Sequence, residues 1–179
     1  MNNFKTKDNR KFHIREAQEF DAEKLIDFTK IIFISSDQIL TTIEEFNNSL
    51  EQQKGWIKTY SDNPTSTILL AELDGQIVGL LDFTTKKRKK ISHTGEFGMS
   101  VHPDFQGKGI GNKLIETFLN WATEKSGIEK IILSVFASNE KAINLYKKFG
   151  FIEEGRHIKA IKQNDIEYID LITMYKLIK

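Results

Sequence analysis

Along this chain the apolar positions switch repeatedly between the two-residue period of a strand and the 3.6-residue period of a helix. Phe12-His13-Ile14-Arg15 alternates and predicts a short first strand. Asp21 is then placed to cap a helix in which Leu25, Ile26, Phe28, Ile32 and Phe33 form a broad apolar face. A second helix is expected from Thr42 to Trp56, with Thr42-x-x-Glu45 as its capping box and Phe46 and Leu50 on its buried side. Thr67 to Leu73 and Ile77 to Phe83 flank Asp74-Gly75, a pair suited to a type I′ turn, so these runs predict an antiparallel hairpin. A further strand is expected around Ile91 to Val101.

In the second half Ile110, Leu114, Ile115, Phe118, Leu119 and Ala122 recur at helical spacing, and Gly127 ends that helix. Ile131 to Phe136 is almost continuously apolar, as a strand buried on both faces would be. Asn139 caps another helix, with Ala142, Ile143, Tyr146 and Phe149 on one face, Lys147-Lys148 near its end and Gly150 just beyond. Phe151-Ile152 opens a sixth strand, and Tyr168 to Ile178 gives a seventh, opposed to it across an Asn164-Asp165 turn. The order β-α-α-β-β-β-α-β-α-β-β predicts an α/β (α+β) fold in which a mixed sheet is flanked by helices.

Composition limits the organisation. With 179 residues, 39% hydrophobic and 13 Phe, the chain suits one domain with a substantial core, and no Ser/Gly-rich linker or repeat divides it, so residues 1–179 are expected to act as one unit. The N-terminus lacks the apolar core of a signal peptide, and no apolar run nears the roughly 18 residues of a membrane span, which predicts a cytoplasmic protein with no membrane partner. Zero Cys excludes disulfides, thiolate metal sites and a cysteine acyl-enzyme. His13, His93, His102 and His157 form no metal-binding set, so no metal is expected, and no G-x-S-x-G elbow supports a serine hydrolase.

A net charge of +1 gives no global case for nucleic acid. Locally, Lys86-Lys87-Arg88-Lys89-Lys90 concentrates five positive charges and leaves 21 basic against 25 acidic residues elsewhere. Two readings stand for it: a solvated hairpin tip, or a contact for an acidic partner, an RNA surface or a ligand phosphate.

The sharpest chemical signal is Val101 to Leu114, V-H-P-D-F-Q-G-K-G-I-G-N-K-L, where a β-rich run enters a glycine-dense turn and a helix leaves at once. Glycines admit positive φ and close backbone approach, and the free N–H groups of the first helical turn face outward with the helix dipole behind them, so an anion such as phosphate fits there. A Walker A loop is excluded because Asn112-Lys113 follows Gly111. A dinucleotide fingerprint is excluded because Asn112 holds the place of its third glycine and no β-α-β unit precedes it.

What remains, V-x-P-x-x-Q-G-x-G-x-G, resembles the signature of the GNAT N-acetyltransferase superfamily. The helix Asn139 to Phe151, N-x-x-A-x-x-x-Y-x-x-x-G-F, is similar to the family's other hallmark. The two together span roughly Glu96 to Gly155, and Glu154-Gly155 with Tyr168-x-Asp170-x-x-x-Met174 further resembles the branch holding ribosomal-protein and polyamine acetyltransferases. The resemblance implies a GNAT fold with a mostly antiparallel seven-stranded sheet, splayed between its fourth and fifth strands to admit the pantetheine arm of acetyl-CoA. It also implies binding by Met99, Ser100 and Val101 as though the arm were an added strand, and by Gln106, Gly107, Lys108, Gly109, Ile110, Gly111 and Asn112 at the pyrophosphate. Asn139 would cap its helix and reach the arm as well.

The implied chemistry is direct acetyl transfer to a primary amine. An ammonium titrating near pH 10 must lose a proton before attack, and Glu96 is the candidate base; an exposed or salt-bridged strand glutamate is the alternative, and His93 and His102 are the fallback bases. The backbone N–H of Met99 or Val101 would hold the developing oxyanion, and Tyr146, which would also contact the cofactor, would hydrogen-bond or protonate the departing sulfur. Ser35, Ser36, Asp37, Glu44 and Glu45 are placed to meet a cationic acceptor, a small amine, polyamine or peptide N-terminus, and a homodimer through the terminal strands or the second helix is a further expectation. The non-enzymatic alternative is an acetyl-CoA-binding sensor module without turnover.

Overall fold

The computed structural model describes residues 2–125 and 127–178. Eight strands form one sheet: β1 (Asn2–Lys5), β2 (Lys11–Glu16), β3 (Thr67–Leu73), β4 (Gln76–Thr85), β5 (Thr94–Val101), β6 (Lys130–Phe136), β7 (Ile152–Lys162) and β8 (Tyr168–Leu177), in the order β1-β2-β3-β4-β5-β6-β8-β7. Four helices, α1 (Ala22–Ser35), α2 (Leu50–Ser61), α3 (Ile110–Glu124) and α4 (Glu140–Lys148), cover its faces. All neighbouring strands pair antiparallel except β5 and β6, which run parallel.

The mixed sheet agrees with the sequence pattern, with one strand more than the seven expected. β1 carries a single large apolar residue, so no alternation marks it; pairing with β2 holds it there, and the Phe4 and Phe12 rings meet at 5.5 Å. At Asp74-Gly75 both residues have positive φ, 51° and 80°, as a type I′ turn requires, and the β3–β4 hairpin closes as predicted.

β3 shows how the core is divided. Leu69, Ala71 and Leu73 belong to a cluster with Leu114, Phe118 and Ile115 of α3, while Ile68 and Leu70 point the other way, toward Leu25 and Phe28 of α1 and Ile57 of α2. The two-residue period thus feeds two cores, each large side chain contributing roughly 1.5–3 kcal/mol when fully buried.

Two helix starts differ from expectation. The Thr42–Glu45 capping box forms, with Glu45 Oε2 accepting from the Thr42 N–H at 2.8 Å, but it caps only a short 3-10 turn, Ile43–Glu45. α2 begins eight residues later than predicted, where Ser49 and Gln52 make the same reciprocal bonds (3.2 and 2.7 Å); it buries Gln53 and Ile57 and leaves Leu50 exposed. Phe46 lies outside the helix and packs edge-on against Phe33 of α1 at 5.3 Å. Asp21 precedes α1 as expected, yet its carboxylate caps nothing in that helix. It accepts from the Gln18 N–H at 2.8 Å and takes a bidentate pair of 2.7 Å bonds from Arg15. The strand placed around Ile91 starts at Thr94, because Lys89–Ile91 is a 3-10 turn. In the basic run Lys87, Arg88, Lys89 and Lys90 are exposed on this tip, and Lys86 pairs with Glu96.

Candidate active site

The one parallel pair is short. β5 and β6 pair only at Thr94–Lys130, Gly95–Ile131 and Glu96–Ile132, and beyond that point β6 stays with β8 while β5 stays with β4, so the sheet forks between them. Which backbone groups face the fork follows from strand parity. Thr94 C=O accepts from Lys86 on the β4 side and the His102 N–H donates to Val78, so the even-numbered residues of β5 bond to β4. Met99 and Val101 therefore turn their N–H and C=O groups into the fork, whereas the peptide groups of Ser100 face β4. Of the three residues expected to pair with a ligand as an added strand, alternation selects Met99 and Val101.

At the mouth, Gly107 and Gly109 have φ of 73° and 95°, which side chains disfavour, and Gly109 opens α3 without any side-chain cap. The N–H groups of Ile110, Gly111 and Asn112 are those of the first helical turn and have no intrahelical acceptor. A cleft of about 550 Å³ joins these features; Met99, Val101, Gln106, Gly107, Gly109, Ile110, Gly111 and Asn112 line one side and Asn139, Ala142 and Leu145 of the α4 segment the other. Asn139 caps α4, its Oδ1 accepting from the Ala142 N–H at 3.1 Å, and Gln106 Nε2 donates to the Val101 carbonyl at 3.2 Å.

Lys108 is the exception within the turn. Its Nζ lies 3.0 Å from Asp8 and over the Phe105 ring, outside the cleft lining. Lys7 and Lys141 line the cleft instead. Lys7 arrives from the turn between β1 and β2, which docks on the glycine turn through its N–H to the Lys108 carbonyl at 3.0 Å, so only recognition of β1 would have exposed it in the sequence. Ser35, Ser36 and Asp37 also border this cleft rather than a separate acceptor pocket, and Ser138 donates to Gln38 at 2.9 Å across its edge.

Tyr146 is buried below the cleft lining, its ring edge-on to Phe97 at 5.7 Å and near Phe151 at 6.1 Å. Phe97 is the first residue of β5 past the last pair with β6, so the phenol sits behind the fork. Burial pushes its pKa up to about 12, and its hydroxyl has no hydrogen-bond partner among the described residues. Glu96 lies on the opposite face of β5, half-exposed, 3.0 Å from Lys86 Nζ and 3.4 Å from the Ser134 hydroxyl, so the salt-bridged alternative is present in the structure. The fallback bases are placed elsewhere: His93 precedes β5, and buried His102 accepts the Asp104 N–H at Nδ1 beside the Phe105 ring.

On the Glu96 face a second cavity, about 260 Å³, opens between α1, α2 and β4–β5. Phe28, Phe33, Phe46 and Trp56 give it aromatic walls, and Asp82 and Ser100 lie at its floor. Asp82 accepts from the Tyr60 hydroxyl at 2.8 Å; burial drives its carboxyl upward, the Tyr60 bond opposes that, and Glu96 adds to it. Met99 borders both this cavity and the cleft, so the two meet at β5. Glu44 and Glu45 line neither. Asp82 was missed because a lone Asp in an apolar strand carries no motif.

A mixed sheet forked at its one parallel pair, with a glycine turn feeding a helix at the mouth, defines the acetyltransferase class of fold. Residues 33–151 match the acetyltransferase (GNAT) family, and the chain belongs to that family. It is 31% identical over 122 residues to the L-amino acid N-acetyltransferase AaaT of Escherichia coli (strain K12), covering 68% of this chain and 75% of that one. It is 28% identical over 134 residues to the spermidine N(1)-acetyltransferase of Vibrio cholerae serotype O1, covering 75% and 76%. A crystal structure of a GNAT-family acetyltransferase from Streptococcus pneumoniae superposes with a TM-score of 0.89 at 27% identity, over 94% of this chain and 99% of that one. No helix among the described residues is long and apolar enough to cross a membrane, and no group of three or more His, Asp or Glu among them is arranged to hold a metal ion.

Proposed function

We propose that this chain, acting as a single unit, transfers an acetyl group from acetyl-CoA directly to a primary amine. The observation that carries the reading is the fork beyond Glu96 and Ile132, into which Met99 and Val101 direct backbone groups that no strand pairs, the Val101 carbonyl meeting only the Gln106 side chain, and which lead straight to the glycine turn and the start of α3. A pantetheine arm has amides to pair with such an edge, and its pyrophosphate would meet the N–H groups of Ile110, Gly111 and Asn112, with Lys7 and Lys141 adding charge.

The proton steps fall to groups on opposite faces of β5. From the open face, Glu96, directly or through water, takes a proton from the acceptor nitrogen, whose lone pair forms the new C–N bond at the thioester carbonyl. The N–H of Met99 or Val101 holds the negative charge that develops on the carbonyl oxygen. As the C–S bond breaks, Tyr146 gives the sulfur its proton, and the second proton shed by the new amide nitrogen returns through water to the phenolate. With its pKa pushed to about 12 by burial, Tyr146 is protonated throughout the neutral range and competent as a donor. That the acceptor is an amine is supported by the two relatives named above, whose names give amino acids and spermidine as substrates.

The test is thiol release from acetyl-CoA by purified protein with a panel of amines, polyamines and N-terminal peptides. Release dependent on one amine class is expected. Tight acetyl-CoA binding with no release for any amine would leave a silent binding module in its place, and absence of both binding and release would overturn the reading.

A further inference from the structure

Asp82 is a carboxylate that the mechanism above does not use, and its surroundings are unusual. Of its two oxygens, Oδ2 accepts from Tyr60 at 2.8 Å. Oδ1 lies against Gly98, its partner across β4–β5, where a Cβ added at Gly98 would stand 3.1 Å from it. The backbone of Gly98 is not in the left-handed region, so conformation does not demand a glycine there. What the missing side chain provides is an open lane between Asp82 and the strand that carries Met99. No residue lining this cavity bears a positive charge, and among the described residues the other carboxylate acting on Asp82 is Glu96, which repels it.

Resting on the acetyltransferase reading above, we propose that Asp82 is the docking group for the acceptor's ammonium, beside the bare backbone of Gly98. We further propose that the acceptor is a monoamine with an apolar or aromatic tail held among Phe28, Phe33, Phe46 and Trp56.

The chemistry of the cavity sets that class. One carboxylate answers one ammonium, and no cationic side chain in the cavity lining competes with an incoming amine for Asp82. The α-carboxylate of a free amino acid finds no cation in the lining to receive it. The further ammoniums of a polyamine would lie among aromatic side chains with no second acid. Gly98 pairs with Asp82 one residue before Met99, so an amine held there lies next to the fork. Burial already raises the Asp82 carboxyl, and an arriving ammonium reverses that by favouring its charged form.

Calorimetric titration of 2-phenylethylamine into protein loaded with free CoA tests this without turnover. Asp82→Asn keeps an oxygen for the Tyr60 hydroxyl and removes the charge; it is expected to weaken the amine at least tenfold and leave CoA affinity and melting temperature unchanged. Gly98→Ala, which puts a methyl group against Oδ1, is expected to weaken the amine in the same way. The uncharged analogue 2-phenylethanol should bind wild type and Asp82→Asn equally, and L-phenylalanine and spermidine should each bind wild type at least tenfold more weakly than 2-phenylethylamine. Amine affinity within twofold of wild type in Asp82→Asn, or no amine binding to CoA-loaded wild type, would overturn the docking role. L-Phenylalanine or spermidine binding as tightly as 2-phenylethylamine would overturn the acceptor class. A protein that binds no CoA at all would instead remove the acetyltransferase reading, and this inference with it.

Discussion

Tyr146 and Lys108 show what a motif position does and does not convey. Tyr146 sits where the N-x-x-A-x-x-x-Y pattern puts it, and helix phase alone would have made it a core aromatic, which it also is, packed on Phe97 and Phe151. The acid role proposed for it would rest on the hydroxyl rather than the ring, so Tyr146→Phe separates the two: the packing survives and the proton is lost. The expected outcome is a 10²-fold or greater fall in kcat at saturating substrates, in line with about 10²–10⁴ for general acid catalysis, with acetyl-CoA affinity unchanged. Because burial lifts the phenol to about 12, wild-type kcat should show no alkaline loss from this group below that pH. An unchanged kcat in the variant at neutral pH would remove the acid role. Lys108 is the contrary case, since it lies inside the glycine motif yet turns to Asp8, and Lys7, remote in sequence, takes the place beside the cleft. A motif records backbone shape closely, but a long side chain follows whichever partner the rest of the fold brings near.

Elements were legible where one local signal fixed them, and illegible where two signals competed. The β3–β4 hairpin, α3 and α4 follow their turn and capping residues, whereas two capping boxes stand in tandem before α2, at Thr42 and Ser49, and only tertiary packing of Gln53 and Ile57 decides which starts the helix. Asp21 was legible as a helix-start residue but not as an anchor. Fully buried, it binds Arg15, which also holds Glu72, so β2, β3 and the entry to α1 are tied by one guanidinium. Burial is the largest influence and works to raise the Asp21 carboxyl, but the Arg15 hydrogen bonds, the Gln18 N–H and the charges of Arg15 and Lys24 together outweigh it and hold it below the ordinary carboxylate value. Stability from this group is therefore fully present above about pH 4 and is lost as pH falls through the lower folded value. Asp21→Asn should cost about 3 kcal/mol at pH 7 by urea denaturation, because it strips a buried cation of one of two partners, and the gap to wild type should narrow as pH drops toward 3. A gap independent of pH would show that shape rather than charge is what Asp21 supplies.

At the scale of the whole molecule, the sheet is two blocks, β1–β5 and β6–β8, joined along their shared edge by only three paired positions. The glycine turn was readable because its strand, turn and helix are contiguous from Glu96 to Leu114, and the fork followed only from the family resemblance; the cavity proposed for the acceptor was not readable, since Phe28, Phe46, Trp56 and Asp82 come from four separate segments that meet only in the folded chain. A ligand lying in the fork as an added strand would continue the pairing where β6 leaves off, and its binding energy would appear as stability of the whole fold. At a hundredfold excess over Kd that linkage amounts to about 2.7 kcal/mol, which for a chain of this size raises the melting temperature by roughly 5–10 °C. Many ligands would do as much, so the discriminating measurement is where protection appears. Amide hydrogen exchange with acetyl-CoA present should slow at Met99 and Val101, whose N–H groups face the fork, and at Ile110 to Asn112. At Gly98 and Ser100, already bonded to β4, it should change little. Protection spread evenly along β5 would mean general tightening of the fold, and a melting shift with no change at Met99 and Val101 would place the ligand somewhere other than the fork.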